Sequence, residues 1–206
     1  MNDWRGPQGE AWATRNMVTV EDTDRNWLER FGVEKAVFVR QFLESAGVPA
    51  HGPWLEVGCS AGAHMRVMRA AGFPAPVGVD VNHGALRRAS GHVTVAEARA
   101  LPFRRSAFTG VTTSGTLMHV GPPDVLVVAL AEFRRVASRW LFFIETHAPE
   151  PTYTDYSDLM PPSWTYPWLD FLPPLLPGWR MVDGAALMGR KPNYGTLDAI
   201  LFRKRN

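Results

Sequence analysis

The sequence predicts an α/β fold in which a mostly parallel sheet carries helices on both faces. Three observations carry that expectation. Short apolar segments alternate with stretches of helical composition through residues 53–95, and alternation of this length gives parallel strands joined by right-handed crossovers. The run Trp140-Leu141-Phe142-Phe143-Ile144 is apolar at every position, as a central strand covered on both faces requires. With 206 residues, 46% of them hydrophobic, the chain is long enough for one sizeable core in one domain.

In chain order, Val33, Val37, Phe38, Phe42 and Leu43 recur at helical spacing, which predicts a helix ending near Gly47. Pro53-Trp54-Leu55-Glu56-Val57-Gly58 reads as a short buried strand running into a turn, and residues 61–71 follow with helical composition and a closing Gly72. Val77-Gly78-Val79-Asp80 is a second strand ending in an acid, residues 84–90 a second helix, and His92-Val93-Thr94-Val95 a third strand. Gly110-Val111-Thr112-Thr113-Ser114 gives the next strand. Pro122-Pro123-Asp124 then opens a helix whose Leu126, Leu130, Phe133 and Val136 form an apolar stripe. Ligands of such a sheet bind beyond the carboxyl ends of its strands.

From residue 146 to 177 the composition turns to proline, tyrosine and tryptophan with interleaved acids. A structureless loop of that length is unusual, so an insertion over the active site, holding short helices, is expected. Trp179 to Val182 and Leu197 to Phe202 are able to pair as an antiparallel hairpin at the sheet edge. The chain therefore divides into an N-terminal segment 1–27, a ligand-binding core 28–145, the insertion 146–177 and a C-terminal hairpin 178–206.

Bulk properties exclude several classes. A net charge of +2 implies no broad electrostatic footprint for nucleic acid, and Arg203-Lys204-Arg205 reads as a solvated tail. Cys59 is the sole cysteine and can form neither an internal disulfide nor a CxxC metal site. The opening residues lack a signal-peptide pattern, and no apolar run approaches the roughly 18 residues of a membrane span. A cytoplasmic protein without membrane attachment is expected.

The most informative segment is Leu55-Glu56-Val57-Gly58-Cys59-Ser60-Ala61-Gly62. Small residues at 58, 60 and 62 let the backbone pass close to a ligand while the next helix presents its N-terminal amides. The glycine spacing is not the G-x-G-x-x-G of a dinucleotide site, and Glu56 would repel a pyrophosphate. A cofactor with a cationic amino-acid end and no phosphate fits better, which describes S-adenosylmethionine. An ordinary strand-to-helix turn is the bland alternative. Asp80, closing the second strand, is placed to accept from two ribose hydroxyls. Its distance of about 20 residues from the loop gives the pair meaning.

With these residues the chain resembles the class I, Rossmann-like methyltransferases, whose glycine-rich first motif aligns with Glu56 to Gly62 and departs at Ser60, where a glycine is common. The resemblance implies a seven-stranded sheet and S-adenosylmethionine as cofactor. It implies that Cys59 and Ser60 belong to the cofactor loop, that Val81 beside Asp80 lies against the cofactor, and that Ser114 closes the fourth strand beside it. The stretch Ala96-Glu97-Ala98-Arg99-Ala100-Leu101-Pro102-Phe103 looks like the one in which these enzymes set an acid and a small residue beside adenine; on that reading Glu97 accepts from the adenine amine next to Ala98. A solvated surface role for Glu97 stays open.

Over most of its length the chain resembles a narrower group, the methylases associated with pseudaminic acid biosynthesis. The residues that carry this are Trp4-x-Gly6-x-x-Gly9-x-x-Trp12-x-Thr14-Arg15-Asn16, Glu56-Val57-Gly58-Cys59, Gly115-x-Leu117-Met118-His119-Val120 and Phe142-Phe143-Ile144-Glu145. Ser60, His64-Met65 and Asp80 depart from that group's usual residues. The resemblance implies that residues 1–27 fold across the cofactor, with Trp12 covering it and Arg15 available to its carboxylate.

His119 follows the fourth strand, where the reacting methyl is expected, and is able to take a proton from a hydroxyl or amine acceptor. A structural role is equally compatible, because methyl transfer to a good nucleophile can proceed by positioning alone. Glu145 and His147 end the fifth strand beside the same cleft and share that status. These three lack a recognised ligand spacing, so no metal is expected. Trp164, Tyr166, Trp168 and Phe171 either wall the acceptor site or pack the insertion's own core; core packing is expected for two of the four.

Methyl transfer to an oxygen or nitrogen of a small molecule, a sugar or secondary metabolite, is the function expected. A nucleic-acid methyltransferase is disfavoured, since Gly121-Pro122-Pro123-Asp124 lacks the Asp or Asn and the aromatic that amine methylation of a base needs, and Cys59 lies in the cofactor loop rather than where carbon methylation needs a nucleophile. The glycine spacing disfavours a nicotinamide oxidoreductase. A binding protein that keeps the cofactor pocket without turnover also accommodates these motifs.

Overall fold

Along the central strands, successive side chains enter two different apolar layers, as the two-residue period of a strand dictates. Leu141 and Phe143 join one core with Leu55, Val57, Leu126, Phe133 and Trp168. Trp140, Phe142 and Ile144 join another with Trp27, Phe42, Trp54 and Met68. The sheet is thus covered on both faces, and Leu141, Phe142 and Phe143 are fully buried.

In a computed structural model, residues 4–15, 19–74, 76–155 and 162–205 are described, the side chains of Trp12, Ala13 and Arg15 excepted. Helices α1 (Pro7–Arg15), α2 (Val20–Phe31) and α3 (Lys35–Ser45) precede strand β1 (Trp54–Val57), helix α4 (Ala63–Ala70), strand β2 (Val77–Asp80), helix α5 (His83–Leu86) and strand β3 (Val93–Val95). Strand β4 (Phe108–Ser114), helix α6 (Pro123–Val136) and strand β5 (Ala137–Thr146) complete the parallel part. Strands β6 (Thr152–Thr154) and β7 (Ser163–Thr165), helix α7 (Trp168–Phe171), and strands β8 (Trp179–Met188) and β9 (Thr196–Lys204) follow.

Seven strands form one sheet in the order β3-β2-β1-β4-β5-β9-β8. The first five run parallel, and β9 and β8 close the edge antiparallel. The expected terminal hairpin is β8–β9, with β8 outermost. This is the Rossmann-like class I methyltransferase fold.

Three local differences from the expected elements have physical causes. Helix α3 occupies the place expected up to Gly47, and a further helix precedes it: α2 ends where Gly32 takes a left-handed conformation (φ 81°) and its amide donates to the Leu28 carbonyl. Helix α5 starts at Asn82, which caps it by accepting from the Ala85 amide at 2.9 Å, and runs only four residues. The insertion holds a two-stranded ribbon, β6–β7, besides its short helices, because Thr152-Tyr153-Thr154 and Ser163-Trp164-Thr165 are β-branched and aromatic. No helix of the described residues is long and apolar enough to cross a membrane.

Candidate active site

Strand β1 delivers the chain into a turn that only particular residues tolerate. Gly58 has φ 75°, and a Cβ there would collide with the side chain of Thr116. The Gly58 and Cys59 amides donate to the Val79 carbonyl at 2.8 and 3.0 Å. Ser60 is left-handed with φ 48°, a conformation glycine adopts more readily, which accounts for the glycine common at this place in the first motif. The strain is offset locally: the Ser60 amide donates to Asp80 Oδ2 at 2.8 Å and the Asn82 amide to Asp80 Oδ1 at 2.7 Å. The acid at the end of β2 is thereby clamped to the loop after β1. Burial raises the Asp80 carboxyl and these amides pull it back, while each oxygen retains a lone pair for a further donor.

Above this loop lies a cavity of about 550 Å³ at the carboxyl ends of β1 to β4, a volume ordinary for a small-molecule site. Gly58, Ser60, Asp80, Val81, Glu97, Ala98 and His119 line it. Trp4 and Arg5 cross it: Arg5 pairs with Glu97, which also accepts from Arg99 at 2.9 Å, and the Trp4 ring meets His119 edge-on at 4.7 Å. The two arginines hold the Glu97 carboxyl below the usual range. The side chains of Trp12 and Arg15, expected over the cofactor, lie outside the described residues.

Behind the cavity a polar cluster is sealed from water. Lys35, at the start of α3, is 6% exposed; its ammonium donates to Ser114 Oγ at 2.8 Å and lies 5.3 Å over the Trp27 ring. Glu56 is 2% exposed and does not line the cavity. Burial lowers the Lys35 ammonium and raises the Glu56 carboxyl, and their mutual attraction opposes both shifts. His64, with Nε2 3.2 Å from Thr112 Oγ1, is driven neutral by burial and by Lys35. Cys59 also stays off the cavity, and burial with two nearby carboxylates pushes its thiol far up, so it is no nucleophile. Gly62 and Ser114 support the loop and the cluster rather than line the cavity.

The three candidate catalytic residues separate. His119 closes a 3-10 turn, Leu117–His119, on the cavity wall; burial lowers its imidazole to about 4, leaving it neutral near pH 7. Glu145 is fully buried beneath that turn. It accepts from Thr113 Oγ1 at 2.6 Å and from the Thr116 and Leu117 amides at 3.2 and 3.1 Å, so it caps the turn that presents His119. Burial raises it to about 7 despite these donors. His147 lies off the cavity with Nδ1 2.9 Å from Asp198 Oδ2. Of the insertion's aromatics, Tyr166 and Trp168 are buried and Phe171 stacks on Tyr166 at 4.1 Å. Trp164 alone of the four faces the cavity, with Tyr153 beside it at 4.9 Å.

Lys35 and Tyr153 were not singled out from sequence. Tyr153 carried no signal, but Lys35 did: it is one of three lysines among 22 basic residues and stands directly before the apolar run Ala36-Val37-Phe38-Val39.

The cavity suits S-adenosylmethionine on its own chemistry. The Ser60 hydroxyl is buried on the cavity wall with no partner among the described residues, and Asp80 offers acceptors beside it. Among the described residues the cations on the wall, Arg5 and Arg99, are engaged by Glu97, which makes them poor partners for a phosphate. Residues 55–139 match the model of a methyltransferase domain. No curated protein matches the sequence. Among solved structures, the chain is similar to a chain of the complex between the Haloferax volcanii Trm112 methyltransferase activator and a methyltransferase (13% identity, 97% of this chain and 96% of that one, TM-score 0.69). It is similar to a SAM-dependent methyltransferase of Methanosarcina mazei (14%, 82% and 97%, TM-score 0.64). A third is the 1,6-didemethyltoxoflavin-N1-methyltransferase of Burkholderia thailandensis, solved with 1,6-didemethyltoxoflavin and S-adenosylhomocysteine (16%, 84% and 77%, TM-score 0.60). Identities this low show a shared fold. The chain thus carries a methyltransferase-domain match over residues 55–139 on a class I, Rossmann-like fold.

Proposed function

We propose that the chain methylates an oxygen or nitrogen of a small molecule. The observation that carries this reading is the joining, in one cavity, of Asp80 and the Ser60 hydroxyl at one end with His119 at the other. When bound, the cofactor would supply an electrophilic methyl group to the acceptor's oxygen or nitrogen and leave as S-adenosylhomocysteine, the acceptor's proton passing to solvent. The chain's own residues do the positioning. Asp80 accepts from the ribose hydroxyls, Val81 and Ala98 flank the adenine, and Glu97 receives the adenine amine or holds Arg5 across it. Trp4 covers the cofactor with Trp12, and Arg15 takes its carboxylate. Neutral His119 accepts a hydrogen bond from the acceptor's O–H or N–H and orients its lone pair.

A small molecule is favoured over nucleic acid because the cations described on the wall, Arg5 and Arg99, pair with Glu97 instead of facing outward as a phosphate-binding track requires. The Burkholderia thailandensis neighbour's small-molecule acceptor is consistent with this. The narrower resemblance to methylases of pseudaminic acid biosynthesis points to a sugar-linked acceptor. A cytoplasmic setting suits the buried, unpaired Cys59.

Thermal unfolding with S-adenosylhomocysteine, S-adenosylmethionine or NAD tests the reading. A ligand at a hundred times its Kd stabilises by about 2.7 kcal/mol, which for a chain of this size raises Tm by about 6 °C. A rise with the adenosyl compounds, abolished in Asp80→Ala, is expected; a rise with NAD alone would overturn it.

A further inference from the structure

The end of the sheet opposite the cavity carries a second concavity. Its volume is about 420 Å³, and Ser138, Arg139, Arg203, Lys204 and Arg205 line it, where β5 begins and β9 ends. Strand β5 reaches the cavity side over ten residues, which at about 3.3 Å each sets the two ends roughly 30 Å apart. Arg203-Lys204-Arg205 is not the solvated tail that its composition suggests. Arg203 and Lys204 belong to β9, opposite Arg180 and Trp179 of β8, and the Arg205 amide donates to the Gly178 carbonyl at 2.9 Å. The backbone of these cations is therefore held by the sheet.

Two features set the group apart from ordinary surface charge. Arg180 and Arg203 face each other directly across the β8–β9 ladder, and like charges so placed destabilise a sheet. Arg139 and Arg203 both lie against the buried Trp140 ring, each guanidinium 5.6 Å from its centroid. Stacking of this kind fixes a planar guanidinium while its N–H fork still points outward to donate. Among the described residues, none of Arg139, Arg180, Arg203, Lys204 and Arg205 belongs to an ion pair. Five positive charges so gathered also exceed what any one carboxylate neutralises. Arrangements that lower stability in this way persist where a ligand uses them.

We infer that this concavity binds a compact anion carrying two or more phosphate groups. Guanidiniums meet phosphate oxygens two at a time, and the Ser138 hydroxyl adds a donor. A single phosphate, with a charge of about −2, leaves most of the positive charge unmet. The cations span three neighbouring strands, about 10 Å across, a footprint for a compact anion rather than for an extended nucleic-acid backbone, which needs a groove. The inference does not rest on the methyl-transfer reading.

Full-length protein is titrated with sodium tripolyphosphate by calorimetry, with and without excess S-adenosylhomocysteine. Sodium sulfate, an oligodeoxythymidylate and phosphatidylserine vesicles are titrated in parallel. Tripolyphosphate is expected to bind more tightly than the other three, equally with and without S-adenosylhomocysteine, and about tenfold more weakly in Arg203→Gln and Arg139→Gln. Arg139 is exposed, so its variant keeps the fold even where Arg203→Gln disturbs the packing on Trp140. Arg40→Gln, which removes an exposed cation from α3, should change the affinity less than about twofold. No binding of tripolyphosphate, its displacement by S-adenosylhomocysteine, indifference to both Arg139→Gln and Arg203→Gln, or an equal loss in Arg40→Gln would overturn the inference. Equal or tighter binding of sulfate, the oligonucleotide or the vesicles would overturn it as well.

Discussion

Replacing Lys35 with methionine keeps the length and apolar stem of the side chain and removes only its charge. The ammonium is 6% exposed, holds Ser114 at 2.8 Å, and supplies the positive field that faces the buried Glu56 and Glu145. Removing one partner from such a buried set costs about 3–5 kcal/mol, since the remaining charge is left uncompensated. If Glu56 responds by keeping its proton, the loss falls at the lower end. Unfolding entropy of about 2.1 cal/mol/K per residue gives roughly 0.43 kcal/mol/K for the whole chain. The Lys35→Met variant should therefore melt about 7–12 °C below the wild type by scanning calorimetry at neutral pH. Adding Glu56→Gln to it should recover a large part of the loss, because the second change removes the carboxylate that the first left stranded. A single variant within about 1 °C of wild type, or a double variant as unstable as the sum of the two singles, would refute the electrostatic argument.

Three other outcomes follow from the same geometry. Gly58→Ala forces a Cβ into Thr116 at a left-handed position and should cost about 1–3 kcal/mol, with the stabilisation by S-adenosylhomocysteine lost in a thermal-shift assay; an unchanged shift would contradict the close packing of the loop. Glu145, raised from 4.5 to about 7 by burial, keeps its proton in the folded chain over a range where the unfolded chain has released it, so its contribution is full below the unfolded value and is lost as pH rises through about 7. Wild type should accordingly lose stability relative to Glu145→Gln between about pH 5 and about pH 7.5 and hold a constant difference above, as followed by urea unfolding at each pH; a difference moving the other way would be decisive against it. His147→Ala strips the partner of the buried Asp198 and should lower stability by about 1–3 kcal/mol, yet leave S-adenosylhomocysteine affinity by calorimetry within twofold, roughly the precision that separates contact from no contact.

How much of this was legible before folding depends on the range over which each signal acts. The strands β1 to β5 and their intervening helices announce themselves through short apolar runs, glycine turns and an end-of-strand acid, all of which are local. The nearness of Asp80 to the loop after β1 was legible too, because strand-end positions on neighbouring parallel strands converge, whereas the bond from the Ser60 amide to Asp80 emerges only from the fold. Helix α2 was within reach, since the glycine before Val33 is a helix stop signal, but its polar composition hid it. The β6–β7 ribbon was harder to see, because three-residue strands carry too few alternations to declare a period.

The division of labour among His119, Glu145 and His147 was not legible, and the reason is general to acids and imidazoles at strand ends. Residue type and position put all three near the cleft; what separates them is which atoms they meet. Glu145 finds a hydroxyl and two amides from residues 113–117 on the neighbouring strand and turn, and with its acceptors filled it builds the turn. His147 finds Asp198, which β9 brings into register beside β5. His119, carried by the turn that Glu145 caps, is left facing the cavity with Trp4. The same logic applies to Glu56, whose place two residues before Gly58 suggests a ligand contact while its burial beside Lys35 makes it the counter-charge of a supporting helix. A carboxylate in the first motif thus acts on the cofactor site through the shape of the loop it anchors, and the Lys35 variants measure that anchoring directly.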